Sequence, residues 1–219
     1  MASAPVDGRN VDPKASTTAV PLPTIVFMGD SITYNWSQGW AGTTFTSHSN
    51  WIDVGISGQT SGQMQARFRG EVILKHPAVV VILAGTNDVY PSWQLCGGEW
   101  WIDTCHNIDD MVQQAKAAGI KPILATIPPW NCVDANNHCA LAQNADSLPG
   151  RYAKIDALNE WIKEYGFQQG LVVVDYHSVL VAADGKMYQP ALTIDGVHPM
   201  PAGYALMAPM IEDAIQASY

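Results

Sequence analysis

The sequence predicts an α/β protein, a single-domain three-layer sandwich with one five-stranded parallel sheet and helices on both faces. Two observations carry this. Short, uniformly apolar, β-branched runs recur along the chain, the pattern of strands buried on both faces. Between them lie longer segments whose apolar residues repeat at helical spacing. The 219 residues suffice for one domain, and 47% hydrophobic against 14% charged residues is a globular composition.

Residues 1–23, rich in Pro, Ser, Thr and Ala without periodicity, read as a flexible arm, and 24–219 as the folded domain. The first strand is expected over Thr24–Met28, followed at once by Gly29-Asp30-Ser31. Gly29 would permit an unusual backbone turn, and Asp30 or Ser31 would cap the helix that follows. Trp51–Val54 forms a second short strand, ended by Gly55-Ile56-Ser57-Gly58. Over 61–75, Met64, Phe68 and Val72 fall one helical turn apart until His76-Pro77 stops the helix. Ala78–Leu83 is apolar throughout and is ended by Gly85. After a long loop at 89–105, Ile108, Met111, Val112, Ala115 and Ala118 mark a helix closed by Gly119. Lys121–Ala125 is the fourth strand, followed by a second long loop at 127–149. Ile155, Leu158, Ile162 and Tyr165 mark the next helix, and Leu171–Val174 the fifth strand. The last helix, 202–217, should kink at Pro209.

Right-handed crossovers leave few topologies for such a chain, and five strands favour the flavodoxin-like order 2-1-3-4-5. In that order the functional site lies beyond the carboxyl ends of the strands, at the switch between strands one and three. Four pieces reach this edge: Ser31, Gly58, Gly85-Thr86-Asn87-Asp88, and Asp195-Gly196-Val197-His198-Pro199. Acyl transfer needs a hydroxyl nucleophile, a base, a group that holds the base, and donors for the oxyanion. Ser31, His198 and Asp195 fit the first three roles; the Ser31 and Gly58 N–H groups and the Asn87 amide fit the fourth. Asp175-Tyr176-His177 is a rival acid–base pair, whereas His48, His76, His106 and His138 have no neighbour that suggests chemistry.

With these four pieces in one order, the chain resembles the SGNH hydrolases with a Gly-Asp-Ser block, over residues 24–217. Block one resembles Phe27-Met28-Gly29-Asp30-Ser31-Ile32-Thr33, with Ile32 where leucine is usual, and block two Gly55–Gly58. Block three resembles Gly85–Asp88 and block five Asp195–Pro199. The resemblance implies a Ser31–His198–Asp195 triad, an oxyanion hole from Ser31, Gly58 and Asn87, and no cofactor. Gly-x-Ser-x-Gly does not surround Ser31, and no Walker loop or Gly-x-Gly-x-x-Gly opens the first crossover.

The expected reaction is hydrolysis of short-chain acyl esters, acetylated carbohydrate included, through an acyl-enzyme. Lysophospholipase, thioesterase and acyltransferase activities share the same intermediate. A non-catalytic sugar binder on this fold is the reading from a different class, prompted by Trp36, Trp40, Trp93, Trp100, Trp101 and Trp130. The formal net charge of −9 disfavours nucleic acid and anionic membrane surfaces as partners, leaving a small-molecule ester. No apolar run approaches the ~20 residues that cross a bilayer.

The cysteines fall in two close pairs, Cys96/Cys105 and Cys132/Cys139. They read as local disulfides, as free thiols, or as a metal site with His106 and His138, although no zinc spacing is present. Disulfides would imply an oxidising compartment, so a secreted or periplasmic location is expected, without a signal peptide in the sequence. They would also hold Trp93, Trp100, Trp101 and Trp130 near the mouth of the site.

Overall fold

A computed structural model describes residues 22–89, 95–97, 103–130, 148–193 and 195–219. Residues 1–21 of the expected arm, most of the 127–149 loop, Trp93, Trp100, Trp101, Cys132, His138 and Cys139 lie outside these residues.

Five strands form one parallel sheet: β1 (Ile25–Met28), β2 (Trp51–Asp53), β3 (Val79–Ile82), β4 (Lys121–Ala125) and β5 (Val172–Val174). Their order is β2-β1-β3-β4-β5, as the apolar runs and crossover rule predict. Ile25 sits opposite Trp51 on one side and Val79 on the other, and Val79 opposite Lys121. Every residue of β1 and β3 is buried, which explains their unbroken apolar sequence.

The helices are α1 (Ser31–Trp36), α2 (Thr44–Ser47), α3 (Ser61–Glu71), α4 (Thr104–Ala117), α5 (Leu148–Gln169), α6 (Tyr176–Leu180) and α7 (Pro201–Ala217). Helices α3, α4 and α5 lie side by side, tied by Gln65 to Asp110 and by Tyr165 to Asp109. Helices α1, α2, α6 and α7 gather around an aromatic cluster. In it Phe27 meets Trp51 at 4.7 Å and Phe45 at 4.9 Å, and Trp36 stacks on Tyr204 at 5.4 Å. Trp36, counted in the sequence among the sugar-stacking candidates, is therefore core.

Several local expectations are corrected. The helix expected over 61–75 ends at Glu71 and finishes in a 3-10 turn, Ile73–Lys75, closed by His76 at φ 48°. The last helix begins one residue earlier than expected and runs over Pro201–Ala217 with Pro209 inside it. Gly29 is not in the positive-φ region; its role is close approach. A Cβ there would stand 1.9 Å from Thr33 Oγ1 and 3.3 Å from the Leu83 carbonyl, so β1 could not turn into α1 beside β3.

Candidate active site

At the carboxyl edge of the sheet, Asp30 caps α1 by accepting the Ile32 N–H at 2.8 Å, and this places Ser31 on the first turn. His198 and Asp195 come from the turn before α7. The backbone there is fixed by Asp195 Oδ1, which accepts the N–H groups of Val197 at 2.9 Å and His198 at 2.8 Å. Buried Thr193 donates to the His198 carbonyl at 2.9 Å and accepts from the Gly196 N–H at 3.0 Å. The turn holds the imidazole so that Nδ1 lies 2.5 Å from Asp195 Oδ2 and Nε2 lies 2.8 Å from Ser31 Oγ. With Nδ1–H donated to Asp195, Nε2 is left as an acceptor for the serine proton.

The electrostatics suit that arrangement. Burial alone would raise the Asp195 carboxyl, but the hydrogen bonds from the His198 ring and from two backbone N–H groups outweigh it and hold it at about 2. The same carboxylate raises the His198 pKa above its ordinary value, against the opposing effect of burial.

Ser31, Gly58, Asn87, Trp130, Asp195 and His198 all line one cleft of about 470 Å³. Gly58 has φ 78°, a left-handed conformation that a side chain would strain. Asn87 donates one amide N–H to the Gln59 carbonyl at 3.0 Å, which fixes the amide orientation and leaves its second N–H for a ligand. Trp130 is stacked under the Arg151 guanidinium, whose centre is 3.6 Å from the ring centroid. Of the four tryptophans expected at the mouth, Trp130 is the one among the described residues, and it lines the cleft. Cys96 and Cys105 are joined as a disulfide, with Cys105 already in the first turn of α4.

Asp175 and His177 do not join this site. Asp175 is taken up by Lys163 at 2.8 Å, by the Thr126 hydroxyl at 2.9 Å and by capping α6. Among the described residues no cluster of three His, Cys, Asp or Glu side chains could hold a metal ion.

Three residues take supporting roles beyond those read from the sequence. Asp88 is buried and accepts from Ser61 N–H at 3.0 Å, Ser61 Oγ at 2.5 Å and Thr104 Oγ1 at 3.2 Å. It thereby ties the starts of α3 and α4 to the end of β3, next to Asn87. Arg67 donates to the carbonyls of Gly29 at 3.1 Å and Val54 at 2.6 Å, and to Gln59 Oε1 at 2.5 Å, joining the loops after β1 and β2. The signal for both was weak, because a mid-helix arginine and an Asn-Asp pair have many ordinary uses.

The third is Asp30 itself. It is fully buried, with the Thr86 hydroxyl beside its carboxylate. Burial pushes its pKa up from 3.8 to about 6, against the hydrogen bonds from the Ile32 N–H and the Thr86 hydroxyl and the charge of His198. A carboxyl raised in the folded state favours folding most below its unfolded pKa, and that advantage is lost as pH rises through the folded value. Ionised Asp30 therefore costs about 3 kcal/mol of stability above pH ~6. Asp30→Asn keeps the cap and removes the charge, so urea unfolding should show it stabilised by about that amount near pH ~8 and by little near pH ~4. Equal effects at both pH values would show that the carboxyl is not the source.

A parallel sheet carrying a serine, a histidine and an aspartate in hydrogen-bond series at its carboxyl edge has the layout of a serine hydrolase built on an α/β fold. The chain belongs to the GDSL-like Lipase/Acylhydrolase family, whose pattern matches residues 27–206. It is a carboxylic ester hydrolase. Over 161 residues it is 24% identical to an acetylxylan esterase of Geobacillus stearothermophilus, covering 72% of this chain and 68% of that one. A GDSL-like lipase of Bacteroides thetaiotaomicron is 35% identical, with a TM-score of 0.75 over 90% of this chain and 89% of the other. An acetyl-xylooligosaccharide esterase from Geobacillus shares the fold at 22% identity, TM-score 0.65, over 88% of this chain and 94% of that one. Catalytic mutants of the Geobacillus acetylxylan esterase replace a serine, an aspartate and a histidine three positions beyond the aspartate.

Proposed function

We propose that this chain is a serine esterase that hydrolyses short-chain acyl esters, acetyl groups on carbohydrate among them, through an acyl-enzyme on Ser31. The observation that carries the reading is the 2.8 Å contact of Ser31 Oγ with His198 Nε2, in series with the 2.5 Å contact of His198 with Asp195. Ser31 Oγ attacks the ester carbonyl carbon while its proton passes to Nε2. The carbonyl electrons move onto oxygen, where the Ser31 N–H, the Gly58 N–H and the second Asn87 amide N–H receive them. As the first residue of α1, Ser31 has an N–H with no acceptor within the helix. Collapse returns the electrons, breaks the bond to the alcohol oxygen, and hands that oxygen the proton from Nε2. Water then repeats the sequence on the acyl-serine, releasing carboxylic acid and free Ser31.

A short acyl group is supported by the modest cleft and its wall at Trp130. Acetyl in particular is supported by the acetylxylan esterase relative with the same aspartate–histidine spacing. The Cys96–Cys105 bridge supports an oxidising, secreted or periplasmic setting. Rapid mixing with p-nitrophenyl acetate should give a burst of p-nitrophenol and, after quenching, an acetylated peptide containing Ser31. Turnover with the acetyl group on any other residue, or with no acyl-enzyme at all, would refute the mechanism. A chain-length series of p-nitrophenyl esters, which should favour the shortest, tests the acyl preference.

The pH dependence has a definite sign. His198 must be neutral to take the serine proton, and Asp195 raises its pKa above 6.5. In the free enzyme kcat/KM should therefore fall on acidification through an ionisation above that of free imidazole, and be flat toward neutral-alkaline pH. His177→Ala should leave the profile in place. Loss of the acid limb in His177→Ala, with the limb retained in His198→Ala, would assign the base to the other histidine.

A further inference from the structure

A second groove, of about 440 Å³, adjoins His198, lined by Asn35, Trp40, Asp195, His198, Met200 and Pro201. It shares Asn35, Asp195 and His198 with the cleft that holds Ser31, but contains neither Gly58 nor Asn87. That division has a chemical meaning. The carbonyl oxygen must sit with the oxyanion donors, whereas the leaving oxygen must be within reach of His198, which protonates it. The alcohol half of an ester held in this way would lie beside His198, where the second groove begins.

The lining says what kind of alcohol fits. Trp40 is 50% exposed, although large apolar side chains are mostly buried elsewhere in this fold. It sits on a 3-10 turn, Gly39–Ala41, and its indole meets the edge of Tyr204 at 6.3 Å. Tyr204 is itself buried, stacks on Trp36, and donates its hydroxyl to the Ile32 carbonyl at 2.9 Å. The exposed ring is thus braced against the helix that carries the nucleophile. A rigid, half-wet indole with an amide nearby suits the apolar face of a sugar ring, whose hydroxyls stay in contact with Asn35 and water. An alkyl chain would also lie against Met200 and Pro201, but it would leave the Asn35 amide without a partner from the substrate. An anionic headgroup would be disfavoured by the Asp195 carboxylate and the net charge of −9.

We propose that the Trp40 groove is the alcohol-side subsite and that it takes the neutral sugar ring of an acylated carbohydrate. This rests on the esterase reading above, with Ser31 as nucleophile. The test compares kcat/KM of wild type, Trp40→Ala and Trp40→Phe on acetylated xylooligosaccharides and on ethyl acetate, whose alcohol is too short to reach the indole. Trp40→Ala should lower kcat/KM on the sugar ester about tenfold more than on ethyl acetate, chiefly through KM, with Trp40→Phe recovering part of the difference. Unchanged circular dichroism would show that the turn and Tyr204 still pack. Equal losses on both substrates, or wild type that hydrolyses ethyl acetate but no sugar acetate, would overturn the subsite while leaving the esterase standing. Wild type inert toward every ester would remove both.

Discussion

Ser31→Ala is expected to lose ester hydrolysis by on the order of 10⁶ in kcat, the scale seen when the nucleophile of a serine enzyme is removed. The fold should survive intact. The serine hydroxyl's hydrogen bond within the site is to His198, and the cap of α1 is made by Asp30 and the Ile32 N–H, which the substitution leaves alone. Alanine is also a better helix former than serine on the first turn. Thermal unfolding should accordingly match wild type within experimental scatter, so that lost activity is lost chemistry. Residual turnover of ~10³–10⁴ over water is compatible with the oxyanion donors acting alone. Retention of more than about a tenth of wild-type kcat would remove Ser31 from the mechanism, since no nucleophile of a serine enzyme is that dispensable.

For Asn87→Ala, kcat should drop by about 10²–10³, roughly 3–4 kcal/mol of transition-state stabilisation, with KM little altered. The amide has two jobs that the kinetics can separate. One N–H holds the Gln59 carbonyl and so steadies the loop bearing Gly58, while the other is available to the oxyanion. Loss of the first costs about 1 kcal/mol of stability, visible as a small fall in melting temperature. Loss of the second is confined to the chemical step. A variant with normal kcat and a raised KM would move Asn87 from the transition state to ground-state binding. One with a collapsed melting temperature would make it a loop strut only.

The sheet was legible because its strands are buried on both faces. A run such as Val79–Ile82 has no polar position to spoil its pattern, and order followed from the crossover rule once the strand count was known. The site was legible for a related reason. Its residues sit within a few positions of strand or helix ends, so a fold prediction also locates them. What escaped has a common physical character. α2 and α6, of four and five residues, are too short to show a period. The burial of Asp30 and Asp88 is decided by what packs over them from elsewhere in the chain, and so is the contrast between core Trp36 and exposed Trp40, four positions apart. A sequence names such residues without saying which way they face. Gly29 shows the same limit: glycine was legible, but the reason, a Thr33 side chain and a Leu83 carbonyl where a Cβ would go, is a property of the packed chain.

Asp195 and His198 share one turn, three residues apart, whereas Ser31 lies 167 residues before its base. Asp195 and His198 are consequently delivered as a preassembled pair, and the contact of that pair with Ser31 spans the longest stretch of chain among the hydrogen bonds of the three residues. A ribosome releases Ser31 early and His198 late, so on the proposed mechanism a growing chain would be chemically silent until α7 docks on the sheet. The same contact acts as a fuse in the finished protein: a partial opening that lifts the C-terminal turn away would extinguish activity while most of the sheet and its helices remained in place. Activity would then be lost earlier than helical signal during gentle heating and would return with the re-docking of one segment.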